Sequence, residues 1–397
     1  MMKNDASKAR LVVLFCFVTL AWGLVMLRLV DIQIVRGKEY GQKAARQSTG
    51  KRDLQAQRGI IYDRTGREVA INVYRNALYA YPSGRREITA IHRYLDRLFG
   101  LKSGISRSKH ALSSGRFAWI DRDISDELAA RLLRDSVSGL YIRKEVKRDY
   151  PFHGIGQQLL GCTDIDGRGI SGLEFGYDSV LAGCPGLIDY LRDGQRKTYR
   201  IREVPLVKPV PGNSIILTID WYLQEIVEEE LKAAVEKYNA LDGTALFMNV
   251  HTGEILAAAD YTAGGHQDAV KLRAVSDCFE PGSVFKIFTS AVLLEENVVD
   301  LNERIYCEQG FWKCGRRTLR DDKKLDSLTF QEIFELSSNI GIAKLAQRLG
   351  GEKLRRTALK FGFSQHLYAG LPGEACGAIG NPGKWSPYNI AALAIGH

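Results

Sequence analysis

No two of the seven cysteines, at positions 16, 162, 184, 278, 307, 314 and 376, form a C-x-x-C pair. No group of cysteines and histidines has zinc-ligand spacing either. Spacing therefore points to neither a structural metal nor an organic cofactor site. No nucleic-acid module motif accompanies the net charge of +9, so nucleic acid is not an expected partner. The charge suits anionic lipid, acidic polymers or a solvated basic surface. No repeat period is visible in the glycine-rich stretch 148–200, which excludes a solenoid. Charged residues make up 25% and apolar residues 45% of the 397, a balance that excludes wholesale disorder. The length accommodates two or three domains.

What is present begins with one long apolar run. Residues 11–27, "LVVLFCFVTLAWGLVML", carry no charge, and "RLV" extends the run if Arg28 snorkels. No small-x-small cleavage site follows, so the run reads as an uncleaved anchor rather than a signal peptide. A short head before a large body places the head inside and the body outside. The expected divisions are a head (1–10), a membrane anchor (11–30) and a polar, partly helical stalk (31–57). Cys307 and Cys314 flank a short loop, a spacing that permits a disulfide in an oxidising compartment. Cys278 reads as a small buried residue.

Beyond the stalk, "GIIY" and "EVAINV" flank Asp63-Arg64-Thr65-Gly66 and predict a β-hairpin. "REITAIHRYLDRLFG" and "DISDELAARLLRDS" have helical periodicity, the second with Asp123 or Ser125 as its cap. "KPVPGNS" (208–214) marks a boundary. After it, "IILTID" reads as a strand. "WYLQEIVEEELKAAVEKYN" reads as an amphipathic helix with Leu223, Ile226, Val227, Leu231 and Val235 on its apolar face. "GTALFMNVHTGEILAAAD" predicts two strands joined at His251-Thr252-Gly253. "SVFKIFTSAVLLEE" predicts a helix starting after Pro281-Gly282.

That helix start carries chemistry. Ser283 and Lys286 are three residues apart and share a helix face. A neutral lysine amine can take the serine proton if burial lowers its pKa, and a helix N-terminus offers an amide N–H to an oxyanion. The pattern suggests acyl transfer through a serine ester. S-x-x-K alone is a weak signal, and it recurs at Ser106–Lys109 in a basic stretch without apolar support. Downstream, "LTFQEIFELSSNIGIAKLAQRLG" places Ser337-Ser338-Asn339 between two helices. That triplet is a good helix cap. It also offers Ser337 as a proton shuttle and Asn339 as a holder of a substrate amide.

Together the S-x-x-K and S-x-N elements resemble those of penicillin-binding proteins. "RGIIYDRTGREVA" (58–70) is similar to the N-terminal signature of the class B members. "RDYPFHGIGQQLLGCTDIDGRGISGLEFGYDSVLAG" resembles their non-catalytic pedestal, including Arg148, Gly172, Leu173 and Glu174. "PGNSIILTIDWYLQ", "GEILAAADY", "LPGEACG" and "WSPYNIAALAIG" resemble parts of their penicillin-binding domain. The resemblance implies an α+β multidomain chain: a single transmembrane helix, a β-rich pedestal (dimerisation) domain at 58–207, and an incomplete penicillin-binding/β-lactamase-like α/β transpeptidase domain at 208–397.

It also implies a function. Ser283 would attack the D-Ala-D-Ala carbonyl of a peptidoglycan stem peptide, with Lys286 as base, Ser337 as proton relay and Asn339 as substrate holder. The implied partners are stem peptides and lipid-linked precursors, β-lactams, the lipid bilayer of the cytoplasmic membrane, a glycosyltransferase, and division or elongation proteins. The family's third motif, K-T-G or K-S-G, does not follow Asn339. Lys102-Ser103-Gly104, Arg64-Thr65-Gly66 and His251-Thr252-Gly253 precede Ser283 and are not assigned that role. This predicts a C-terminally truncated chain with little turnover. The competing readings are a penicillin-hydrolysing or penicillin-sensing protein and a non-catalytic wall-synthesis scaffold.

Overall fold

The computed structural model describes residues 3–82, 84–99, 117–192, 198–201, 204–265 and 271–397. Ser106–Lys109 and Lys102-Ser103-Gly104 lie outside the described residues. The chain forms two compact units. One holds residues 1–61, 70–149 and 179–215, and the other 62–69, 150–178 and 216–397. Segments 62–69 and 150–178 belong to the second unit by their contacts.

In the first unit, helix Lys3–Val30 continues through a π-turn, Asp31–Val35. Residues Val13–Val35 are apolar and long enough to cross a membrane, the one such span among the described residues. The stalk is helical at Gly37–Ser48 and then becomes strand Thr49–Leu54. That strand pairs antiparallel with Gly186–Arg192, which pairs with Thr198–Ile201. A second sheet sets the strand ending at Ala80 between Ala118–Ile124 and Leu140–Asp149. Its alternation puts Leu78 and Ala80 on one face, against Ile91 and Leu95 of helix Arg85–Phe99 and Leu132 of helix Asp126–Asp135. Of the two candidate caps, Ser125 is the one used, accepting from Leu128 N.

In the second unit, the expected turn at 63–66 is built around Asp63. Its carboxylate is fully buried and accepts from the Thr65 amide, the Thr65 hydroxyl and the Arg67 amide at 2.8 Å. Gly66 has φ +87 and closes the turn, a conformation glycine adopts without strain. "IILTID" is strand only at Ile215–Ile216, because Asp220 turns away to cap helix Trp221–Lys237, accepting from Tyr222 N and Leu223 N. The buried residues of that helix are Trp221, Gln224 and Val235, whereas Ile226 is exposed. The expected stripe is rotated because the Gln224 amide bonds both the N–H and C=O of Ala258 at 2.8 Å. This fastens the helix to the hairpin of Asp242–Met248 and Ile255–Thr262. The second hairpin forms as the sequence predicts, with His251-Thr252-Gly253 in its turn.

The rest of the second unit is largely helical. Its core gathers Phe285 from the turn Gly282–Phe285, Val292 and Leu293 from helix Lys286–Glu295, Ile340, Ala343 and Leu345 from Asn339–Leu349, and Ala391 and Ala394 from Pro387–Ala394. A short hairpin, Phe311–Cys314 with Arg317–Arg320, adds Cys314 and Leu319 to this core. Cys307 and Cys314 are separate buried thiols. Cys307 faces the Ser338 hydroxyl and Cys314 accepts from the Gln347 amide. Cys278 is exposed, contrary to the sequence expectation, because it lies in the loop before the helix rather than on it.

Candidate active site

The segment after Pro281 starts as one 3-10 turn, Gly282–Phe285, and becomes α-helical at Lys286. Residues three apart eclipse one another in a 3-10 turn, so Ser283 and Lys286 share a face more closely than α-helical spacing requires. The turn is pinned from behind. Gly282 N donates to Gly396 O at 3.1 Å, and the Thr289 hydroxyl donates to Ala394 O at 3.0 Å. A Cβ on Gly396 would stand 2.1 Å from Gly282 O, so that position demands glycine.

Ser283 is exposed, while Lys286 keeps 3% of its surface. The Lys286 ammonium does not bond Ser283 directly. Its three hydrogen bonds go to the Ser337 carbonyl at 2.6 Å, the Ser337 hydroxyl at 3.0 Å and Asn339 Oδ1 at 2.7 Å. Ser337 Oγ in turn lies 3.2 Å from Ser283 Oγ. The structure thus brings Ser283, Lys286, Ser337 and Asn339 together, with Ser337 between nucleophile and amine. Burial draws the Lys286 pKa down to about 8, while the carboxylates of Asp321 and Asp322 oppose that fall.

The loop carrying Ser337 is held in an unusual shape. Helix Phe330–Glu335 starts with a Thr329–Glu332 capping box. Ser337 then takes φ +55, a left-handed conformation costly for a side chain with a Cβ. Ser338 caps helix Asn339–Leu349 by accepting from Gly341 N at 3.0 Å. Both of its expected roles, cap and site loop, are therefore combined in one triplet. Asn339 spends its amide within the protein, Oδ1 on Lys286 and Nδ2 on Arg320 O at 2.8 Å.

Sequence reasoning missed Asp321 and Gly396. Asp321 ends the Phe311–Arg320 hairpin and accepts from three groups of the loop: the Ser338 hydroxyl at 2.8 Å, Asn339 N at 2.5 Å and Ile340 N at 3.1 Å. Its only sequence signal is an acidic pair in "LRDDKK", which reads as a solvated turn. Among the described residues no group of three or more histidine, cysteine or acidic side chains is placed to hold a metal. A cavity of about 1080 Å³ lies beside the turn, with Pro281, Phe285 and Gly396 in its wall, but Ser283 and Lys286 do not line it.

Residues 243–397 match the family described as the penicillin binding protein transpeptidase domain, and residues 53–217 match the penicillin-binding protein dimerisation domain. The chain is 33% identical over 354 residues to the probable peptidoglycan D,D-transpeptidase PenA of Neisseria gonorrhoeae, covering 87% of this chain and 61% of that protein. It is 27% identical to the peptidoglycan D,D-transpeptidase FtsI of Escherichia coli, covering 96% and 66%. The solved structure of penicillin binding protein 3 of Mycobacterium tuberculosis complexed with ampicillin superposes with a TM-score of 0.60 at 25% identity, covering 87% of this chain and 60% of that one. The chain thus spans 61% of the length of the PenA protein it matches.

Proposed function

Because this chain belongs to the class B penicillin-binding proteins, we propose that it is a serine D,D-transpeptidase that cross-links peptidoglycan stem peptides through an acyl-enzyme at Ser283. The observation that carries this reading is the Ser283–Ser337–Lys286 chain of contacts at 3.2 and 3.0 Å. In the amine form, Lys286 has one lone pair and two N–H groups. The N–H groups suit Ser337 O and Asn339 Oδ1, and the lone pair suits the Ser337 hydroxyl.

Ser283 Oγ attacks the carbonyl carbon of the penultimate D-Ala. Its proton passes to Ser337 Oγ as the Ser337 proton passes to Lys286. The C–N bond then breaks, the terminal D-Ala amine leaves with the proton returned through Ser337, and Ser283 holds the ester. An amine of a second stem peptide attacks that ester, its proton passes through Ser337 and Lys286 back to Ser283 Oγ, and the C–O bond breaks to release Ser283. The Ser283 amide lies in the first turn, where helix geometry supplies no acceptor, and serves as one oxyanion donor. Asn339 keeps Lys286 in place, and its second Nδ2 N–H and second Oδ1 lone pair are left for a substrate amide. No metal or organic cofactor enters these steps.

β-Lactams acylate Ser283 as mimics of the D-Ala-D-Ala substrate. The apolar helix anchors the chain in the cytoplasmic membrane with its bulk on the outer side. Residues 58–207 form the pedestal and 208–397 the catalytic domain. The cellular partners are lipid-linked precursors, a glycosyltransferase, and division or elongation proteins. The test is covalent labelling by a fluorescent penicillin. Wild-type chain labels at Ser283 and Ser283→Ala loses the label entirely. A folded wild-type chain that takes no label, or a Ser283→Ala variant that keeps it, overturns the reading.

A further inference from the structure

We propose that Asp321 is a positioning residue of this site: through three hydrogen bonds its carboxylate holds Ser337-Ser338-Asn339 in the one arrangement that connects Ser283 to Lys286. The inference rests on the serine–lysine reading above. The geometry that carries it is specific. Asp321 Oδ2 takes the Ser338 hydroxyl, and Oδ1 takes both the Asn339 and Ile340 amides. Those amides are among the first N–H groups of helix Asn339–Leu349, which have no acceptor within the helix. Ser337, two residues before Asn339, stands at φ +55. A strained residue persists only where its surroundings over-determine it, and here Asp321 fixes its downstream side while Lys286 grips its carbonyl and hydroxyl.

Asp321 is itself fixed. Its amide donates to Gly310 O at 3.1 Å, and Leu319, two residues earlier, is buried in the core. Gly310 has φ +87, and a Cβ there would stand 2.8 Å from Lys323 O, so the backbone crossing next to Asp321 is tight. The carboxylate therefore links a rigid hairpin end to the loop that carries the relay hydroxyl.

A second consequence follows from charge. Asp321 reaches Lys286 through a single residue, Asn339, whose amide it accepts from and whose Oδ1 accepts from Lys286. Ser337 and Asn339 are neutral, the first turn of the Lys286 helix has no acid, and Asp322 is the other carboxylate acting on the lysine. Burial favours the amine, and Asp321 holds part of the population as ammonium. Removing the Asp321 charge while keeping its shape therefore moves the Lys286 titration to lower pH.

The experiment uses the full chain as wild type, Asp321→Asn and Asp321→Ala. Second-order acylation by a fluorescent penicillin is measured against pH. In parallel, Lys286 is titrated by competitive acetylation with acetic anhydride and peptide mapping, which needs no penicillin. For Asp321→Asn we expect the Lys286 midpoint to fall by about one pH unit and the plateau acylation rate to fall about 10–100-fold, with cooperative unfolding retained. Asp321→Ala, which lacks all three acceptor bonds, acylates more slowly still. If Asp321→Ala does not fold, the near-isosteric Asn variant carries the test. An Asn variant with an unmoved midpoint overturns the proposal, whether its rate is normal or reduced, because a packing role alone leaves the lysine titration where it was. A wild-type chain that takes no penicillin sinks the functional reading, while the acetylation titration still decides the role of Asp321.

Discussion

Asp63 and Asp321 use one device in two regions of the same unit. Each carboxylate stands in for backbone acceptors and gathers N–H and O–H donors from a loop that cannot satisfy itself. Around Asp63 the donors come from Thr65 and Arg67, with the Trp221 amide at 3.4 Å. The turn so formed is closed and ordinary in shape, with Asp63 buried and residues 64–67 exposed. Around Asp321 the donors come from Ser338, Asn339 and Ile340, and the adjacent residue is strained. The first arrangement ends in packing, at the buried Trp221. The second ends in an exposed hydroxyl and a buried amine. The same bonds serve stability in one place and positioning in the other, according to what stands at the far end of the chain of contacts.

The largest expected effect breaks the comparison at that far end. Lys286→Ala removes the amine while sparing both carboxylates, and we expect acylation of Ser283 to fall about 10²–10⁴-fold. The pH profile sharpens the point. With the Lys286 pKa near 8, the amine population rises with pH up to that value and levels off above it. The wild-type acylation rate should do the same, and the residual rate of Lys286→Ala should lack that limb. An unchanged limb in the variant would assign the base to another group.

Asp63→Ala should give the opposite pattern. It strands the buried Trp221 amide and leaves the Thr65 and Arg67 donors of an exposed turn to water, at about 1–3 kcal/mol for a stranded group, so we expect the urea midpoint to fall by the equivalent of about 2 kcal/mol. The acylation rate of the molecules that remain folded should not change. Burial pushes the Asp63 pKa up, but the hydrogen bonds from Arg67, Thr65 and Trp221 outweigh it and hold the value below the ordinary carboxylate range. The linkage sign follows. Its stabilising contribution is complete above the unfolded pKa and disappears as pH falls through the lower folded value. Wild type should therefore lose stability in acid faster than Asp63→Ala does. Parallel acid curves would show that Asp63 holds no such bonds in solution.

Much of this was legible in the sequence because it is local. Asp63-Arg64-Thr65-Gly66 has the chemistry of a turn, Ser125 and Ser338 are caps, and the alternation around His251-Thr252-Gly253 is that of a hairpin. Each is decided by residues a few positions apart. The Ser283–Lys286 spacing belongs to the same class, and so does its resemblance to a known motif. Three features were hidden. Gln224 lies outside the apolar stripe the sequence shows, yet it is buried because the N–H and C=O of Ala258 both take its amide as partner. Asp321 sits among charges that look solvated until the hairpin folds back on Ser338. Ser337 was expected as a proton relay, but its seat between Ser283 and Lys286 comes from a loop 54 residues away, which helical spacing cannot report. What escaped is in each case a polar group whose partner is set by tertiary packing.

The smallest expected effect tests whether the two regions are distinct at all. Ser338 is 1% exposed, and its hydroxyl accepts from Gly341 N, donates to Asp321 and faces the Cys307 thiol. Ser338→Ala removes a helix cap, which costs about 1 kcal/mol in a typical host. If the loop behaved like the Asp63 turn, that loss would appear in the unfolding midpoint alone. But Ser338 follows Ser337 directly, and its bond is one of three by which Asp321 restrains the relay. We expect a modest fall in stability together with a fall in acylation rate of about tenfold or less. Two Asp321 bonds, to the Asn339 and Ile340 amides, would remain and limit the damage. Unfolding in urea and penicillin labelling at fixed pH, measured on one preparation, separate the two losses. A variant that loses stability but acylates at the wild-type rate would show that the Ser338 bond is a cap only, and that Asp321 acts through the Asn339 and Ile340 amides.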